Sequence, residues 1–67
     1  MEITYNNKKK WLEPGTTLMG LLQATDNHPE MVTVELNGRV LTREEFGGVV
    51  LKQGDEVKVL HFMGGGA

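Results

Sequence analysis

The first five residues alternate in polarity, with Met1, Ile3 and Tyr5 apolar and Glu2 and Thr4 polar. A period of two puts the apolar set on one face of a strand. Asn6-Asn7 follows, and asparagine tolerates positive φ well enough for a tight hairpin turn, so Lys9 to Leu12 is predicted to return as a second strand. Glu13-Pro14-Gly15 breaks that ribbon, because proline removes a ladder donor. Beyond it the period changes. Leu18, Leu21 and Leu22 stand at i, i+3 and i+4, the spacing of one buried helical stripe, and Thr16 or Thr17 offers the N-cap oxygen. Gly20 costs this short helix about 1 kcal/mol relative to alanine, so it marks close packing or a shifted boundary. Thr25 to Glu30 reads as a polar connection ended by proline. His28 lies in it with no companion His or Cys at metal-ligand spacing, the pattern of an ordinary loop histidine.

Alternation resumes over Met31 to Leu36, placing Val32, Val34 and Leu36 on one face, and Asn37-Gly38 is a strong hairpin signal. Arg39 to Leu41 is predicted to continue extended. Thr42-Arg43-Glu44-Glu45 matches a capping box that nucleates one helical turn carrying Phe46 into the bottom of the core. Gly47-Gly48 and Lys52-Gln53-Gly54-Asp55 read as turns. Glu56 to Leu60 is the last strand, with Val57 and Val59 on one side and Lys58 and Leu60 on the other. The order strand, strand, helix, strand, short irregular piece, strand predicts an α+β fold of the β-grasp type. In it a mixed sheet wraps over one main helix, and the first and last strands run parallel at its centre. The helix is expected to pack on Ile3, Val32, Val34, Leu36, Val57 and Val59.

Composition narrows the chemistry. A chain of 67 residues makes one small domain, near the size at which a single core becomes marginal. It contains no cysteine, so it has no disulfide framework, thiol nucleophile or cysteine metal ligand, which suits a reducing cytoplasm. The formal charge of −2 argues against nucleic-acid binding, and Lys8-Lys9-Lys10 beside Trp11 reads as a solvated hairpin edge. No basic leader or membrane-length apolar run occurs, so a soluble cytoplasmic protein is expected. No His-Glu-x-x-His or other metal constellation is present, so no metal site and no catalytic residue are expected in the chain.

The organising stretch is Phe62-Met63-Gly64-Gly65-Gly66-Ala67. Three glycines after a strand are predicted to leave the domain, residues 1–61, as a thin thread, residues 62–67, able to enter a narrow site. Extended backbone covers roughly 3.3–3.6 Å per residue, so the thread reaches about 20 Å past Leu60. Lys58, Leu60, Phe62 and Met63 are the expected partner-docking residues beside it, since exposed apolar patches mark partner sites. His61 is expected at the strand end or in partner contact.

Several stretches together resemble the ThiS/MoaD family of ubiquitin-like sulfur carriers, most of all its thiamin-biosynthesis members. They are Met1 to Tyr5, Glu13 to Leu18, Val34-Glu35-Leu36-Asn37-Gly38, and Gly54-Asp55-Glu56-Val57 running to Gly66. The terminal strand leading into glycines is the most specific of them. The resemblance implies a carrier that serves as substrate and not as an enzyme. An E1-like adenylyltransferase would use ATP and Mg²⁺ to activate the Gly66 carboxylate, with Gly65 beside it. A sulfur donor would then form a thiocarboxylate, and a downstream synthase would accept the sulfur. The recipient pathway stays open among thiamin thiazole, molybdopterin, and cysteine or methionine.

The family pattern ends in Gly-Gly, whereas Ala67 follows Gly66 here. The expectation is that Ala67 is removed before activation, for which some related systems use a zinc metallopeptidase; the other reading is a member not activated in the usual way. Two further classes stand beside the carrier. One is a β-grasp interaction module in which the glycines supply only disorder, and the other is a ubiquitin-like protein modifier.

Overall fold

The computed structural model describes residues 1–61. The fold begins with β1 (Glu2–Tyr5) and β2 (Lys8–Trp11), joined by a two-residue turn in which Asn6 and Asn7 have φ of 49° and 71°.

 The turn is the mirror-image type that matches strand twist. The return strand begins one residue earlier than the alternation suggested and ends at Trp11, with Leu12 still exchanging main-chain hydrogen bonds with Met1.

The helix α1 (Leu18–Ala24) starts at Thr17, whose side chain accepts from the Gly20 N–H at 3.0 Å. Gly20 is explained by that cap, because a Cβ there would stand 3.2 Å from the Thr17 hydroxyl oxygen. The far end closes in a Schellman arrangement. Asp26 takes positive φ, its N–H donates to the Gln23 carbonyl, and the Asn27 N–H donates to Leu22. The polar connection then contains a turn of 3-10 helix, Pro29–Met31, that the alternation did not signal. It leads into β3 (Val32–Leu36), the Asn37-Gly38 turn, β4 (Arg39–Leu41), the single helical turn α2 (Arg43–Phe46) and finally β5 (Glu56–His61). The segment Val49-Val50-Leu51 makes no strand. It meets the start of α1 through one bridge between Thr17 and Val50, with the Leu18 N–H donating to the Val49 carbonyl.

The five strands form one mixed sheet in the order β2-β1-β5-β3-β4. β1 and β5 are parallel neighbours, and β3 runs antiparallel to β5 along its length, from Val32 opposite His61 to Leu36 opposite Val57. Leu18, Leu21 and Leu22 of α1 share one buried cluster with Ile3, Val32, Val34, Leu41, Phe46, Leu51, Val57 and Val59. Burying a side chain of this size contributes roughly 1.5–3 kcal/mol, so the three leucines supply much of what holds a domain this small. Leu36, expected in the core, is only half-buried and packs against its margin.

Candidate functional site

The strand that leads toward the glycines is held more firmly than alternation alone requires. Val57 and Val59 are buried beneath α1, which fixes the inward face of β5. On the β1 side, the Asn6 N–H donates to the Val57 carbonyl at 2.9 Å, and the Asn6 Oδ1 accepts from the Val59 N–H at 2.8 Å. The side chain thus continues a parallel ladder after β1 itself has ended. On the β3 side, the Asn37 N–H donates to the Glu56 carbonyl and the Asn37 Oδ1 accepts from the Glu56 N–H, both at 2.8 Å. Asn37 Nδ2 donates to Asp55 Oδ1 at 3.1 Å, and the Lys52 N–H donates to the other oxygen of that buried carboxylate at 2.8 Å.

The outward face of β5 carries Lys58, half-buried, and Leu60, 55% exposed. Across the sheet, Leu60 stands opposite Thr33 and Lys58 opposite Glu35, which in turn faces Val40 of β4. Val40 is also more than half exposed. Leu60 and Val40 therefore give this face two apolar positions flanking an oppositely charged cross-strand pair. Val40 went unnoticed in the sequence, although its place between inward Leu41 and the turn carries the period-two signal.

His61 is exposed at the end of β5 as a main-chain partner of Val32, and His28 is exposed before the 3-10 turn. Among the described residues, no three His, Cys, Asp or Glu side chains gather so as to hold a metal ion, and no helix is long and apolar enough to cross a membrane. Glu45 is held below the usual carboxylate range, first by the Thr42 backbone N–H and then by Arg39 at 3.1 Å. Those contacts cap α2. Phe62, Met63, Gly64, Gly65, Gly66 and Ala67, which include the residues expected to carry the chemistry, lie outside the described residues.

A family model described as the ThiS family matches residues 1–66. The chain belongs to the ThiS family. It is 32% identical over 57 residues to the sulfur carrier protein ThiS of Bacillus subtilis, covering 85% of this chain and 86% of that protein. It is 46% identical over 66 residues to a thiazole synthase of Magnetococcus marinus, covering 98% of this chain but only 20% of the synthase. Among solved structures, the crystal structure of the thiamine biosynthesis protein ThiS from Geobacter metallireducens superposes with a TM-score of 0.80 at 41% identity, covering 94% of this chain and 96% of that one. A solution structure of a thiamine biosynthesis protein from the same organism gives a TM-score of 0.79 at 43% identity, covering 100% and 90%. The ThiS-family fold is accordingly the ubiquitin-like β-grasp, with its mixed five-stranded sheet and one main helix.

Proposed function

We propose that this ThiS-family chain is a sulfur carrier in thiamin thiazole formation, working as the substrate of an adenylyltransferase and not as an enzyme. The observation that carries the reading is the family match, which runs through the domain and stops at Gly66, five residues after β5 ends at His61. In the proposed cycle an oxygen of the Gly66 carboxylate attacks the α-phosphorus of ATP, with Mg²⁺ on the phosphates, and pyrophosphate leaves. A sulfur nucleophile then adds to the acyl carbon and AMP departs, leaving a thiocarboxylate. A synthase consumes the sulfur; the relationship to a thiazole synthase supports that class of acceptor. Gly65 and Gly64 suit the role because a channel built for bare main chain has no room for side chains.

Adenylation at Gly66 needs a free carboxylate there, so the Gly66-Ala67 bond must first be cut, by a metallopeptidase in this reading. A carboxylate displaced by one residue, about 3.5 Å, falls outside the reacting geometry, where a 1 Å error can cost about 100-fold. The test incubates the 67-residue chain and a version ending at Gly66 separately with the adenylyltransferase, ATP and Mg²⁺, then with sulfide. Pyrophosphate release and an oxygen-to-sulfur mass change are expected for the shorter chain alone. Equal reaction of both, with sulfur on Ala67, would reject removal of Ala67; reaction of neither would reject the carrier.

The docking surface for the adenylyltransferase is assigned to Leu60 and Lys58 with Phe62 and Met63 beyond them. Leu60 is exposed, so Leu60→Glu is expected to leave the unfolding midpoint unchanged while weakening association about tenfold or more. An unchanged affinity in a calorimetric titration would remove this face from the interface.

A further inference from the structure

We propose that β2 is a docking edge for an acidic, extended segment of a partner protein, which adds to the sheet as a further strand. β2 is outermost in the strand order. Met1 and Leu12 exchange main-chain hydrogen bonds, and in an antiparallel ladder bonded pairs alternate with unbonded ones. Lys10 and Lys8 therefore bond to Ile3 and Tyr5, while the N–H and C=O groups of Lys9 and Trp11 point away from β1. The other side of β1 agrees, because Glu2 and Thr4, which stand opposite Trp11 and Lys9, direct their main-chain groups to Gly54 and Asp55. Among the described residues this edge has no strand partner, and it offers two residues' worth of strand pairing.

The side chains around that edge select for charge. Lys8 and Lys10 share the helix side of the sheet with Tyr5, and a hollow there is lined by Tyr5, Asn6, Lys8, Lys9 and Lys10. Lys9 lies 3.7 Å from Glu2, whereas no carboxylate among the described residues comes within 4.0 Å of Lys8 or Lys10. The Tyr5 hydroxyl accepts from Asn27 Nδ2 at 3.0 Å, which leaves its own O–H to donate. Two ammonium groups and a phenol therefore face an occupant that must bring acceptors.

Lysines on an edge ordinarily deter pairing, and that guard accounts for Lys8, Lys9 and Lys10. It does not account for Trp11, which is 72% exposed on the same edge and is the kind of side chain that anchors interfaces. Pairing β2 with β2 of a second copy would bring lysines opposite lysines, which is unfavourable. A strand with Asp or Glu at alternate positions meets Lys8 and Lys10 with opposite charge and lays its neighbouring side chains along Trp11.

Trp11 is the single tryptophan, so its emission reports the edge directly. The probe is a short blocked peptide alternating Glu and Val, titrated into the full chain without ATP or any partner enzyme. A saturable blue shift is expected, with slowed exchange of the Lys9 and Trp11 amides and no change at the Lys8 and Lys10 amides. The Lys8→Glu/Lys10→Glu double variant should bind about tenfold more weakly, and raising the salt on the unaltered chain should weaken binding in the same direction. A peptide with Lys in place of Glu should not bind, nor should the acidic peptide N-methylated at alternate residues. No saturable shift, equal binding of the Lys peptide or the N-methylated peptide, or protection appearing away from β2 would each overturn the proposal.

Discussion

The two hairpin turns, Asn6-Asn7 and Asn37-Gly38, approach β5 from opposite sides and hold it by different means. Both use positive φ, and both lend the first asparagine's side chain to the backbone of β5. Asn37 is itself supported, because its amide nitrogen rests on Asp55, a buried carboxylate already bonded to the Lys52 N–H. Asn6 makes one side-chain bond, to the Val59 N–H, at the level where β1 has run out. Beyond the main-chain bonds on both sides, the β3 side of β5 is therefore held by a side-chain network and the β1 side by a single side-chain bond. A residue chosen for a turn conformation thus also fixes a distant strand.

The largest effect is expected from Asn37→Ala. It removes two side-chain bonds, leaves Asp55 with one fewer donor and puts alanine at a φ of 53°. A loss of about 2–3 kcal/mol should appear in denaturant unfolding. A loss equal to that of Asn6→Ala would erase the distinction between network and single bond. Asn6→Ala should cost about 1–2 kcal/mol, and it should speed hydrogen exchange at the Val59 amide more than at the amides that β5 gives to β3. Uniform change across β5 would show that Asn6 acts only through its turn.

The smallest effect concerns pH and belongs to the β3–β4 side, where Arg39 reaches Glu45. The folded state lowers the Glu45 pKa, so this carboxylate adds stability above its unfolded value and loses it as pH falls through the lower, folded value. Acid should therefore shift the Thr42 amide resonance as that bond weakens. Glu45→Gln should flatten the titration; a titration retained in that variant would assign the effect to another group.

The apolar positions of the core were legible because period two and period 3.6 are local signals. Ile3, Val57 and Val59 followed from alternation, and Leu18, Leu21 and Leu22 from helical spacing. The parallel placement of β1 beside β5 followed from element order and the handedness of crossovers. The roles of Asn6, Asn37 and Asp55 were not legible, since a side-chain bond to a backbone group far along the chain leaves no periodic trace. Asp55 looked like a turn residue and is buried. The 3-10 turn at Pro29–Met31 was hidden by its length, too short to show a period. On the outward face of the sheet the exposure of Leu60 was legible and Val40 was passed over, while the glycines that carry the proposed chemistry lie outside the described residues.

The central position of β5 also governs the order in which the molecule can be made. Residues 56–61 are the last strand of the domain, yet they separate β1 from β3, so each hairpin lacks its inner neighbour until they arrive. Joining Thr4 to Glu56 closes a loop across most of the domain, the kind of long-range contact that slows folding and cannot form early. A nascent chain stopped short of residue 56 therefore has no continuous sheet, and one that has completed it has necessarily just produced the strand preceding the glycines. Completion of the sheet and synthesis of the strand that precedes the glycines are therefore a single event, so a chain with a continuous sheet always carries β5.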